Sequence, residues 1–329
     1  MCEAAMKGIH SVVVSDKRVR FKFELTRNIT IVRGDSGTGK TTLFDMISAA
    51  ARLKEKSGVR IVCDKPCVTL RPDSDWLHLL ENISDSIVFI DEESDYVGKA
   101  EFASAIKRTD NYYVIFTREN LHNLPYSVNE IYTIHTSGKL HTFRRLYREQ
   151  KNYRYSGSVK QKKDDFSFFL TEDSRSGYEF YQNFFSGSKV ECFSAGANSS
   201  IYPWLVQNKD KKVFVVADGA AFGAEMNRVM KLNEQYPDII ICLPESFEWL
   251  ILKSGLIKIN DIENVLDHPS EYIEASEYFS WEQFFTDFLV QNTRDEHYQY
   301  SKNHLNPFYI VKNNANKVVE LIGLQDTNE

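Results

Sequence analysis

Short apolar runs closed by polar or glycine turns, each followed by apolar residues three or four apart, recur along most of the chain. Residues 11–14 and 19–25 predict two strands joined by a polar turn at Asp16 and Lys17. Ile29, Ile31 and Val32 predict a third strand, and Leu43, Phe44 and Ile47 a helix behind it. Residues 87–90 and 112–116 are uninterrupted apolar runs of the kind buried on both faces of a parallel sheet. Residues 131–134 and 140–143 flank Ser137-Gly138-Lys139 and predict a hairpin. The alternation then resumes, with strands at 166–170, 190–193, 213–217 and 239–243 and helices over 178–185 and 225–232. After Gly255 the pattern turns helical and acidic. There Ser280 and Gln283 predict a capping box ahead of an apolar stripe of Phe284, Phe285, Phe288 and Leu289. The fold class is therefore α/β with a helical C-terminal region.

A chain of 329 residues is long for one core. We divide it into residues 1–155 and 156–329. Hydrophobic residues make up 42% and charged residues 26%, as in a globular domain. No apolar run approaches the roughly 20 residues of a membrane helix, and MCEAAMKGIH is not a secretory leader, so the expected location is the cytoplasm. Cys2, Cys63, Cys67, Cys192 and Cys242 are scattered and need no disulfide, and Cys63 with Cys67 lacks a second pair at zinc-ligand spacing. The net charge of −6 argues against a generally basic nucleic-acid coat. One stretch departs from it: residues 144–163 carry Arg144, Arg145, Arg148, Lys151, Arg154, Lys160, Lys162 and Lys163 against Glu149, interleaved with Tyr147, Tyr153 and Tyr155. It reads either as a solvated connector or as a contact for nucleic acid through its cations and stacking rings. The acidic groups after residue 260, Glu282 among them, would repel such a partner.

The sharpest chemical signal is ITIVRGDSGTGKTTLFDMI from Ile29 to Ile47. Gly34, Gly39, Lys40 and Thr41 satisfy G-x-x-x-x-G-K-[ST] between a strand and a helix, the context of a phosphate-binding loop. Gly34, Asp35, Ser36, Gly37, Thr38, Gly39, Lys40, Thr41 and Thr42 would line the phosphates of ATP. Lys40 would reach the β/γ-phosphates and the Thr41 hydroxyl would ligate Mg²⁺. The strand at 86–90 then delivers Asp91, Glu92 and Glu93. Asp91 is suited to hold Mg²⁺ and Glu92 to orient or deprotonate the attacking water, with Glu93 in reserve. Thr117 or Arg118, at the end of the 112–116 strand, is placed to sense the γ-phosphate.

The strand pair ahead of NITIVRGDSGTGKTTL resembles ATP-binding-cassette-like ATPases within the P-loop NTPase fold, although no LSGGQ-type signature or convincing glutamine loop follows. In the second half Glu172 follows the first apolar strand and Asp218 the third, an arrangement that resembles a Toprim domain, the Mg²⁺-binding module of topoisomerases, primases and OLD-family nucleases. The resemblance implies a small parallel-sheet domain with Glu172 and Asp218 as metal ligands for phosphodiester chemistry. Ala220 stands where the second aspartate of D-x-D belongs. That leaves a one-metal site, a substitute from Asp173, Glu245 or Glu248, or a domain that does not cut. The combination resembles OLD-family nucleases and the ATPase–Toprim pairs of anti-phage systems. It implies an ATPase whose nucleotide state controls a nucleic-acid-directed domain, or a regulatory ATPase carrying a non-cutting interaction module. Substrate, homo-oligomer and partner protein stay open.

Overall fold

The structure, a computed structural model, describes residues 6–35, 37–147, 153–154 and 161–325, the side chains of 153–154 excepted. Ser36, Cys2, Arg148, Glu149, Lys151, Tyr155 and Lys160, and the side chains of Tyr153 and Arg154, carry sequence expectations that lie outside the described residues. The chain divides into two compact units, Met1–Arg148 with His268–Phe279, and Glu149–Asp267 with Ser280–Glu329. The sequence boundary at 155 has no counterpart for the 268–279 excursion. Its ties to unit 1 are local: Gly8 N–H donates to Ser270 O at 2.7 Å and Ala275 N–H to Met6 O at 3.1 Å. Among the described residues no helix is long and apolar enough to cross a membrane.

Unit 1 runs β1 (His10–Ser15), β2 (Arg20–Leu25), β3 (Ile29–Arg33), α1 (Lys40–Leu53), β4 (Arg60–Val62), β5 (Cys67–Leu70), α2 (Trp76–Leu80), β6 (Ile87–Ile90), α3 (Ala100–Ile106), β7 (Tyr112–Phe116), β8 (Ile131–Ser137) and β9 (Leu140–Arg145). One mostly parallel nine-stranded sheet holds them in the order β4-β1-β2-β9-β8-β3-β7-β6-β5. β1 and β2 are antiparallel, and Asp16 fixes their turn by accepting from Arg18 N–H at 2.7 Å and Val19 N–H at 2.8 Å. Every residue of β3, β6 and β7 is buried, as their unbroken apolar runs require at the sheet centre. α1 buries Leu43, Phe44 and Ile47 in the core that holds Val32, Phe89 and Phe116. β7 pairs in parallel with both β3 and β6, Val32 facing Phe116 and Ile90 facing Ile115. The turns after all three strands therefore open on one edge.

Unit 2 contains β10 (Tyr153–Arg154), β11 (Gln161–Lys162), β12 (Phe168–Thr171), α4 (Ser176–Phe184), β13 (Glu191–Ser194), α5 (Asn198–Gln207), β14 (Val213–Val216), α6 (Gly223–Gln235), β15 (Ile239–Cys242), α7 (Phe247–Lys253), α8 (Ile262–Asp267), α9 (Trp281–Asn292), α10 (Lys312–Leu321) and β16 (Leu324–Gln325). Its main sheet has the order β10-β15-β14-β12-β13, with every pairing parallel. The Phe169 ring lies 4.8 Å from that of Phe185, and Phe166 lies 5.3 Å from Phe214, an aromatic core whose apolar area dominates the unit's packing. The predicted capping box is corrected in part. Ser280 is the N-cap of α9 and Phe285 and Leu289 are fully buried, but among the described residues the Ser280 side chain makes no capping hydrogen bond.

Candidate functional site

The glycine-rich turn joins buried β3 to α1, whose first residue is Lys40. Gly39 caps the helix at φ +101°, a left-handed conformation that a side chain would strain. The first-turn amides of α1 meet no acidic side chain of their own, so the positive end of the helix faces the turn. Lys40 folds back over it, donating to Gly34 O and, at 3.2 Å, to Asp35 O. Its Nζ also lies 3.5 Å from Glu92 Oε2. Thr41 and Thr42 are exposed on the first turn, Asp35 and Gly37 are exposed in the loop, and Gly34 and Thr38 are half-buried.

Asp91 and Glu92 follow β6. Asp91 Oδ1 accepts the Glu92 N–H at 2.7 Å. Partial burial raises the Asp91 pKa above the ordinary carboxylate value, opposed by that hydrogen bond and reinforced by Glu93, Asp45 and Glu92. Removal from water together with three like charges makes the position receptive to a cation. Glu92 is held from two sides, by Lys40 and by Arg118, whose Nε is 2.5 Å from Glu92 Oε1. Of the two residues proposed after β7, Arg118 is thus the one that reaches the acidic turn. The Thr117 hydroxyl instead accepts Glu119 N–H at 3.0 Å. A cleft of about 670 Å³ is lined by Thr41, Asp91, Glu92, Glu93, Thr117 and Arg118. A hydroxyl, carboxylates and a guanidinium line this cleft, and the Lys40 ammonium reaches it through Glu92; together they fit a nucleoside triphosphate with a hard divalent ion.

Sequence reasoning missed Arg33. Buried at the end of β3, it donates to Glu119 O at 3.2 Å, Asn120 Oδ1 at 2.8 Å and Tyr126 OH at 3.2 Å. It fixes the turn that carries Arg118. Its signal was an arginine closing an otherwise apolar strand.

In unit 2, Glu172 and Asp218 follow the adjacent parallel strands β12 and β14. Glu172 Oε2 accepts the Asp218 N–H at 3.1 Å, so the two residues lie together on one edge. Burial drives both pKa values up. For Glu172 the Asp218 N–H opposes the rise, and for Asp218 the charges of Glu282 and Glu172 add to it. Asp173 is committed elsewhere, accepting Gly177 N–H at 2.6 Å and Arg175 N–H at 3.0 Å before α4. Glu245 is buried and its carbonyl accepts the Ala220 N–H at 3.2 Å. Of the three proposed substitutes for the missing aspartate, Glu248 bears on Asp218 electrostatically.

Three further members, Lys302, Tyr300 and Glu282, come from segments not assigned to the site by sequence. Lys302 Nζ is 3.2 Å from Glu248 Oε1 and 2.9 Å from Glu282 Oε1, and the Tyr300 hydroxyl donates to Glu248 Oε1 at 2.7 Å. Glu282 belongs to the acidic stretch read as repelling nucleic acid. No local periodicity could have tied it to Asp218. Among the described residues no group of three or more His, Cys, Asp and Glu side chains is arranged to hold a metal ion.

The basic connector is only partly described. Tyr147 is buried, which corrects its role as a stacking surface for bases. Lys163 Nζ donates to Phe184 O and sits 4.4 Å above the Phe184 ring. Arg144 and Lys162 are exposed. The described cysteines, Cys63, Cys67, Cys192 and Cys242, are free thiols. A scan against protein-family models finds no match to this chain, and a search of curated proteins finds no similar sequence.

Proposed function

We propose that unit 1 is a P-loop ATPase that binds ATP with Mg²⁺, and that its nucleotide state controls a Toprim-like unit 2 acting on nucleic acid, as in the anti-phage ATPase–Toprim pairs it resembles. The observation that carries the reading is the meeting of Lys40, Thr41, Asp91 and Glu92 after parallel strands with Arg118 beside them. Lys40 and the α1 amides would take the phosphates, and Thr41 and Asp91 would hold Mg²⁺, which supplies charge neutralisation. Glu92 would accept a proton from water as its oxygen attacks the γ-phosphorus and the bond to the β–γ bridging oxygen breaks. Lys40 rests on carbonyl oxygens and Glu92, contacts that an incoming triphosphate would replace.

Lys40→Ala removes the ammonium and should weaken ATP binding by about 100-fold or more, the loss of one charge-assisted phosphate contact of roughly 3 kcal/mol. Calorimetric titration of a folded Lys40→Ala protein with ATP tests this. An unchanged affinity rejects the ATP site.

A second reading, a regulatory ATPase whose unit 2 is a non-cutting interaction module, is favoured by the buried Ala220 and by the lysine among the acidic groups. A metal-dependent nuclease assay on DNA and RNA, with and without ATP, separates the two. ATP-responsive cutting lost in Asp218→Ala supports the first; no cutting alongside intact ATP turnover supports the second.

A further inference from the structure

Carboxylate oxygens from two helices, Glu248 on α7 and Glu282 on α9, converge on the Lys302 ammonium at 3.2 and 2.9 Å. The backbone around this lysine is pinned. Tyr300 N–H donates to Thr293 Oγ1 at 2.9 Å, Ser176 N–H to Lys302 O at 3.3 Å, Arg175 Nη1 to Asn303 Oδ1 at 2.9 Å and Leu305 N–H to Glu179 Oε2 at 2.7 Å. Residues on both sides of Lys302 are thus fastened to the start of α4 and the end of α9, and the fold itself delivers the ammonium.

The pocket's carboxylates call for positive charge. Glu248 is 1% exposed. Its Oε1 receives Tyr300 and Lys302, while its Oε2 is buried without a hydrogen-bond donor among the described residues. A buried carboxylate oxygen lacking a donor is costly unless a cation stands close. Asp218 feels Glu282, Glu172 and Glu248 as like charges and Lys302 as an opposing one. Burial alone would lower the Lys302 pKa, but Glu248, Asp218 and Glu282 raise it above the usual lysine range, so the side chain stays an ammonium.

Magnesium demands about six oxygens at roughly 2.0–2.1 Å and dehydrates reluctantly. A tethered ammonium reaches the same oxygens at an effective concentration set by the fold. We propose that Lys302 is a built-in substitute for a divalent cation, filling the place between Glu248 and Glu282, so that the pocket takes one metal ion fewer than its carboxylates could hold. This inference rests on the reading of unit 2 as a Toprim-like acidic pocket and deepens it. An ammonium supplies charge and hydrogen-bond donors but carries no bound water to deprotonate.

The test counts Mn²⁺ bound per full-length chain, without nucleotide, by electron paramagnetic resonance. Lys302→Met should bind one more ion than the wild type, Lys302→Met/Glu248→Gln should lose that ion, and Lys302→Arg should keep the wild-type count. An unchanged count in folded Lys302→Met, or a wild-type ion that Glu248→Gln removes, overturns the proposal. Should Lys302→Met not fold, amine-reactive footprinting of the wild type decides. Lys302 protection that Mn²⁺ leaves unaltered supports the proposal, and exposure of Lys302 on Mn²⁺ addition overturns it. Asp218→Asn, read separately, tests the metal reading of the Glu172 and Asp218 pair: an unchanged basal count there rejects that reading while leaving the Lys302 result to stand by itself.

Discussion

The two units place acidic residues at the C-terminal edge of a parallel sheet in the same way, yet they supply positive charge to that edge differently. In unit 1 the cation is Lys40, the first residue of the helix that follows the central strand β3, and its partner Glu92 lines an open cleft of about 670 Å³. In unit 2 the cation is Lys302, which reaches Glu248 and Glu282 from outside the strand–helix units that end in Glu172 and Asp218. The first arrangement leaves Thr41 and Asp91 facing a space into which a ligand can enter. The second supplies a counter-charge to its carboxylates from within. The same topology thus gives a receptive edge or a self-neutralised one, depending on whether the counter-charge comes with the ligand or with the chain.

The largest effect that would break this comparison lies in unit 1. Glu92→Gln keeps the side-chain shape and one acceptor for Arg118 but abolishes the base, so ATP affinity should hold while turnover falls by about 100-fold or more. Phosphate release under single-turnover conditions measures it. If Glu93→Gln slows turnover and Glu92→Gln does not, the base is the neighbouring residue, and the contacts of Glu92 with Lys40 and Arg118 are structural only.

A smaller effect probes how tightly the unit 2 edge is closed. Gly219 follows Asp218 and donates its N–H to Pro244 O at 2.6 Å. A methyl group there would meet Leu243 O at 2.6 Å and Pro244 O at 2.8 Å, both backbone atoms that cannot swing aside. Gly219→Ala should therefore force the β14 and β15 exit turns apart, destabilising the protein by about 2–3 kcal/mol and displacing Asp218 from Glu172. Urea unfolding reads the first and Mn²⁺ counting the second, with ATP binding as the control that should not change. A neutral substitution would mean that the edge is looser than these contacts require.

What the sequence made legible follows from the range of the interactions. The β3 turn, Asp91 and Glu92 were visible because a strand, its turn and the next helix are contiguous, and apolar runs such as IVFI and YYVIF admit one reading at the centre of a sheet. Glu172 and Asp218 were legible for the same reason. The rest depends on long-range contacts. Lys302 and Tyr300 lie in a polar stretch without periodicity, and Glu282 reads as one of the acidic groups that would repel nucleic acid. The short β4 strand, RIV, is exposed apart from half-buried Ile61, and β5, CVTL, is half-buried apart from buried Leu70 and carries no clean alternation. Ser280 illustrates a further limit: its position at the helix start was readable, whereas the choice of partner for its hydroxyl depends on what packs around it.

The smallest effect separates burial from charge at Glu172. In the metal-free protein burial pushes its pKa from 4.5 up to about 8, against the opposing Asp218 N–H. A carboxyl whose folded pKa is raised holds its proton in the folded state after the unfolded chain has released it. Its contribution is therefore complete below about pH 4.5 and is lost as pH rises toward 8. Because the side chain is only half-buried, solvent screens much of this, and a loss of about 1 kcal/mol between pH 5 and 8 is expected. Glu172→Gln cannot ionise yet retains an oxygen to accept the Asp218 N–H, so it should remove that slope without removing the hydrogen bond. Urea midpoints of both proteins in chelator, measured across the pH range, make the comparison. Parallel curves would show that Glu172 is already ionised at neutral pH, which would place its counter-charge within the protein and make unit 2 still more self-neutralised than Lys302 alone implies.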